Sequence, residues 1–145
     1  MIAQLEHRRL VTELGQEYGS WSTERGAVTT WILAPGVLVT RAEGHLDVEL
    51  AQRIIHSGDV VIARFGGLTA FHDWQRIVTY DSTARAQLTK WGYDIRKDVR
   101  RVHILVGSKL VKMGVSVASL VLVGMIAAYD GRPAFERALA EATRA

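Results

Sequence analysis

The spacing of apolar positions changes several times along the chain, and each change predicts an element. Over residues 2–16, Ile2, Leu5, Leu10, Val11 and Leu14 form the apolar stripe of an amphipathic helix, which Gly15, Gly19 and Ser20 break. Residues 27–33 are β-branched and aromatic, Ala34-Pro35-Gly36 signals a turn, and residues 37–43 resume the strand pattern. This predicts a hairpin ended by Gly44. Asp47 is placed to cap a helix to about His56, with Val48, Ala51, Ile54 and Ile55 buried and Ser57-Gly58 as its stop. After Asp59, the apolar run from Val60 to Phe65 predicts a short central strand, closed by Gly66-Gly67.

Residues 68–80 follow neither period and concentrate aromatic and polar groups. Asp81 or Ser82 then caps a helix to about Lys97, with Ala84, Leu88, Trp91 and Ile95 on one face. Val99 to Val106 predicts a strand. Gly107-Ser108 opens a helix carrying Leu110, Met113, Val117 and Leu120 at helical spacing. The continuous apolar run at 121–128 predicts a last buried strand. Asp130-Gly131 turns the chain, and Pro133 suits the first turn of a closing helix with Phe135, Ala138, Leu139 and Ala142 inward. The order β, β, α, β, α, β, α, β, α gives an α/β fold: a single mixed β-sheet of about five strands with helices packed against it.

Composition narrows the classes. A chain of 145 residues, 48% hydrophobic and 23% charged, makes one domain with a real core and no disordered tract. The absence of Cys excludes a disulfide framework, a Cys-based zinc site and a cysteine nucleophile. No formal charge occurs from Met113 to Tyr129, and a spanning helix needs about 20 apolar residues. That run contains Gly114, Ser116, Ser119 and Gly124 and divides into a helix and a strand, so no membrane span is expected. Glu6, His7, Arg8 and Arg9 near the N-terminus are followed by no apolar core, so a cytoplasmic protein is expected. A net charge of +3 gives little reason to expect nucleic acid as a partner. Arg85, Lys90, Arg96, Lys97, Arg100, Arg101 and Lys109 read as a solvated basic face, with Trp91 turned to the core side.

The chemistry-bearing positions are few. His72 and Asp73 are candidates for an acid–base pair or an anion site, which would make the protein a hydrolase. Adjacent residues rarely aim at one point, however, and no Ser or second carboxylate stands at a diagnostic spacing, so no catalytic residue is assigned. His45 and Asp47 would have to join His72 and Asp73 to hold a metal. The five His lack ligand spacing, so no metal and no cofactor are expected. Gly66-Gly67 lacks the dinucleotide pattern. Gly107-Ser108-Lys109 is a candidate anion site, against the plainer reading of a helix cap. The candidate interaction surface is Thr69, Phe71, His72, Asp73, Trp74, Tyr80, Asp81 and Arg85.

Three stretches carry a family resemblance. They are Gly36 to His45 with Leu46-Asp47 opening a helix, Asp59 to Leu68, and Ala127 to Leu139. Together with the element order, they make residues 27–143 resemble the STAS domain of SpoIIAA-type anti-sigma-factor antagonists and the related STAS/Sec14-like proteins. The chain then divides into an N-terminal extension, 1–26, and a STAS-like domain, 27–145. The resemblance implies a regulatory module that binds a protein partner or itself, as a homo-oligomer. Its Sec14-type side implies, second, a small apolar ligand or lipid. Antagonists of this kind carry a phosphorylatable Ser or Thr, usually as Asp-Ser at a helix start after the central strand. The comparable stretch is Ala70 to Trp74, where Asp73 matches the Asp but Trp74 replaces the Ser, so no phospho-acceptor is expected at the family position.

Overall fold

The structure, a computed structural model, describes residues 16–144. The helix expected over residues 2–16 lies outside these, apart from Gln16, which opens the first strand. Strands β1 (Gln16–Ser22), β2 (Gly26–Ala34) and β3 (Val37–Leu46) form an antiparallel meander. The chain continues as α1 (Val48–Phe65), β4 (Leu68–Tyr80), α2 (Ser82–Asp94), a 3-10 turn (Arg96–Asp98) and β5 (Val99–Val106). It ends with α3 (Lys109–Val121), β6 (Ile126–Tyr129) and α4 (Arg132–Arg144). β1 pairs along β2, so residues 16–22, which the sequence sets apart as part of an extension, belong to the sheet.

Val48 to Phe65 is one helix rather than a helix and a strand. Leu50, Ile54, Ser57, Gly58 and Val61 share a buried face, so the apolar run continues the helical period while Phe65 turns outward. Ser57 does not interrupt it, because its hydroxyl donates to the Arg53 carbonyl at 2.8 Å and lies 3.1 Å from the Thr30 hydroxyl. Asp47 caps the helix as predicted, accepting from the Leu50 N–H at 2.9 Å. Gly66 ends it in the left-handed region, with φ of 76°.

The central strand is therefore β4, the stretch that showed no period. It pairs in parallel with both β3 and β5. Its polar residues meet buried partners, which is why polarity alone did not read as a strand. β6 is also shorter than predicted. The helix before it runs through Val121, and Gly124 turns at φ of 76° before the strand starts at Ile126.

The six strands stand in the order β1-β2-β3-β4-β5-β6. The three crossovers from β3 to β6 step in one direction, so crossovers of the same hand place α1, α2 and α3 on one face. There Leu50 and Ile54 of α1 and Val111 and Val115 of α3 pack with Trp74, Ile77 and Ile104. α4 covers the other face, with Phe135 and Leu139 on Val37, Val39, Phe71 and Leu105. Alternation along β4 thus sends Phe71 toward α4 and Trp74 toward α2 and α3. No helix among the described residues is long and apolar enough to cross a membrane.

Candidate functional site

β4 separates the expected surface residues. Phe71, His72, Asp73 and Trp74 are buried, Thr69 is half-buried, and only Tyr80, Asp81 and Arg85 reach the rim where β4 passes into α2. The stretch from Thr69 to Trp74 is therefore sheet interior rather than a contact surface. What brings part of the set together is a cavity of about 90 Å³ between the sheet and helices α2 and α3. His72, Trp74, Tyr80 and Arg85 all stand on its wall, among apolar side chains that include Trp91, Ile104 and Val115.

His72 and Asp73 face opposite sides of the sheet, so they form no acid–base pair. His72 stacks on Trp74, with ring centres 4.5 Å apart, and its Nδ1 lies 2.7 Å from the Thr40 hydroxyl. Burial, with a smaller push from His103, takes its pKa down to about 3, and the imidazole is neutral at ordinary pH. The Trp74 indole N–H, in a residue only 9% exposed, has no acceptor among the described residues. On the other face Asp73 accepts from Arg132 Nη2 at 3.1 and 2.9 Å, and Arg41 Nε stands 3.4 Å away. The same Arg132 nitrogen reaches Gln75 at 2.9 Å, which ties the start of α4 to the central strand.

His45 closes the far end of the sheet. Its Nε2 donates to Asp81 at 2.9 Å, and its Nδ1 accepts from the Thr79 hydroxyl at 2.7 Å. A carboxylate accepts only, which fixes this tautomer. Asp81 is the residue before α2 yet makes no side-chain cap, because its carboxylate is turned to His45. The first turn of α2 is left with no acidic side chain and with Ser82 exposed at its first position. Asp47 is engaged as the α1 cap, so His45, Asp47, His72 and Asp73 do not converge.

The Gly107-Ser108-Lys109 stretch is accounted for by local structure. Ser108 caps α3 by accepting from the Val111 N–H at 3.2 Å. Gly107 sits so close to the Gln75 carbonyl that no side chain fits.

The stripe at helical spacing in the helix after β5 is its outer face. Leu110, Met113, Val117 and Leu120 are exposed, Leu120 to 79%, while Val111, Gly114 and Val115 face the sheet. Both stripes of α3 are apolar, so periodicity alone could not choose between them. The phase is set by packing, with Val111 and Val115 against Trp74, Ile77 and Ile104.

No family model matches the chain, and no curated protein matches it. Solved structures do match its shape. One is an uncharacterized protein of the DUF3478 family from Shewanella loihica, with a SpoIIAA-like fold. It is 17% identical, with a TM-score of 0.59, over 82% of this chain and 98% of that one. Another is the anti-sigma factor antagonist SpoIIAA in its unphosphorylated form. It is 15% identical, with a TM-score of 0.55, over 78% of this chain and 96% of that one.

The fold is the SpoIIAA-like, STAS-type fold. The central strand of this fold is β4 and not the run from Val60 to Phe65. The pair that opens a helix directly after the central strand is Asp81-Ser82, and Trp74 lies within the strand itself. The sequence shows this pair as the candidate cap of α2, while the run from Val60 to Phe65, which predicts the central strand, lies in α1.

Proposed function

We propose that this protein is a non-catalytic regulatory module that docks on a protein partner where β4 passes into α2, and that Ser82 is its phospho-acceptor. The observation that carries this is the exposed Asp81-Ser82 pair at the start of α2. The fold relative supports it. SpoIIAA is described as an antagonist of another protein, and as having an unphosphorylated form. Physical chemistry supports it too. The first turn of α2 has no acidic side chain and no side-chain cap, so its N–H groups and the helix dipole favour a phosphate there. A phosphate would add about −2 of charge beside Asp81 and its His45 partner. The outer apolar face of α3, on the neighbouring helix, offers the same partner an apolar seat. The test has two readouts. Mass spectrometry of the protein recovered from its own cells should place phosphate on Ser82. Ser82→Ala should then retain a partner that Ser82→Asp loses at equal stability. Phosphate elsewhere or absent, with both variants behaving alike, would overturn the reading.

A second reading is favoured by the cavity between the sheet and α2 and α3: the module holds a small apolar molecule. Its wall is almost wholly apolar, but about 90 Å³ is small beside the roughly 300 Å³ at which drug-sized sites begin, which disfavours a complete lipid.

A further inference from the structure

The cavity has a feature that a purely apolar site would lack. Arg85 is the one charged side chain on its wall, no carboxylate shares that wall, and no ion pair joins Arg85 to another described residue. The Trp74 indole N–H on the same wall has no acceptor among the described residues. A buried donor without an acceptor is destabilising, and an Arg whose stem lines an apolar wall carries its charged head to the rim, where an anion with an apolar body can meet both. We propose that the cavity binds a small apolar monocarboxylate, its carboxylate on Arg85 and its short acyl chain or single ring against Trp74, Trp91 and Ile104. This rests on the second reading above and adds the ligand's charge to it.

Several details fit this class. An apolar cavity of about 150 Å³ holds benzene, so one of about 90 Å³ with an open rim takes a short chain or one edge of a ring. His72 is neutral, so the interior presents no second charge to compete with Arg85 for the carboxylate. No partner for His72 Nε2 is found among the described residues, and Thr40 occupies Nδ1, so the free nitrogen can either donate or accept as Thr40 turns. Arg85 sits in the first turn of α2, three residues after Ser82, where a side chain reaches both the cavity rim and the helix start. Gly114 and Ala118 keep the α3 wall thin. A Cβ at Gly114 would come 2.7 Å from the Tyr80 hydroxyl.

The probes are hexanoate and benzoate, with hexanol as the uncharged control, titrated onto the whole chain by calorimetry and by the Trp74 indole N–H resonance. The acids should bind and shift that resonance. Arg85→Gln should weaken them at least tenfold while leaving hexanol unchanged, and Trp74→Phe should weaken them with the fold intact by circular dichroism. Binding of hexanol as tight as hexanoate, or of both acids undiminished in Arg85→Gln, overturns the carboxylate assignment while leaving an apolar pocket standing. No binding of acids or alcohol at millimolar concentration overturns the assignment and the apolar-ligand reading together.

Discussion

Gly58, in the middle of α1, lies against the benzo edge of the Trp91 ring from α2, too close for a Cβ to fit between them. The Trp91 indole N–H donates to Asp59 at 2.8 Å, so the ring is held from one side and cannot simply step away. Replacing a mid-helix Gly by Ala ordinarily stabilises by about 1 kcal/mol. Here the added methyl must displace a bonded tryptophan, and overpacking of that kind costs about 1–3 kcal/mol. Gly58→Ala is therefore expected to lower stability in urea unfolding, and a gain would show that α1 and α2 do not meet at Trp91.

That contact also explains what the sequence concealed. Ser57-Gly58 has the composition of a helix stop, and only the approach of Trp91, 33 positions away in the sequence, turns it into a packing site. Local signals of caps and turns were legible where they act locally: Asp47, Ser108 and Gly66 all do what their residue types favour. Polar residues satisfied across the sheet were not legible. His72 depends on Thr40 and Asp73 on Arg132, and neither partner is near in sequence. With those partners distant in sequence, residues 68–80 show no strand period, and the central strand is predicted a few residues early, at Val60 to Phe65. The mixed sheet and its antiparallel edge are unaffected, because moving one strand a few residues along leaves the alternation of elements unchanged.

Arg132 is the clasp between α4 and β4, and its loss is predicted to be costly. Asp73 is only 2% exposed, so removing its guanidinium partner leaves a buried carboxylate poorly compensated, at a cost of about 3–5 kcal/mol. Arg132→Met is expected to show this in chemical denaturation. Arg132→Lys should recover little, since a single ammonium cannot serve Asp73, Gln75 and Glu136 with a planar fork. Stability unchanged in Arg132→Met would mean that α4 is held by its apolar face alone.

The phase of α3 gives a sharp comparison within one helix. Leu120 is outward and Val115 inward. Leu120→Ser should change folding stability by no more than about 0.5 kcal/mol, as exposed substitutions do. Val115→Ala should cost about 2 kcal/mol for two buried methyl groups and the space they leave. The reverse order would put the stripe of Leu110, Met113, Val117 and Leu120 on the sheet and remove the exposed face altogether.

Burial of His72 sets an acid limit on the fold. In the unfolded chain an imidazole titrates near pH 6.5, whereas in the native protein it stays neutral down to about pH 3. Between those values the unfolded state binds the extra proton, so the stability present above about pH 6.5 falls as the pH drops through this window. The slope reaches about 1.4 kcal/mol per pH unit for the one group. His103, whose pKa is also lowered by burial and then by Arg101, adds loss of the same sign. Urea unfolding of the wild type and of His72→Asn, compared from about pH 7.5 to about pH 4.5, separates the two. His103 and the carboxylates act equally in both chains, so the difference between them belongs to His72. The variant should start less stable at neutral pH, where it loses the Thr40 contact and the stack on Trp74, and the gap should narrow steadily on acidification. A gap that stays constant with pH would mean that the His72 imidazole is protonated in the folded protein, and so is not held in the dry interior that also forms the cavity wall.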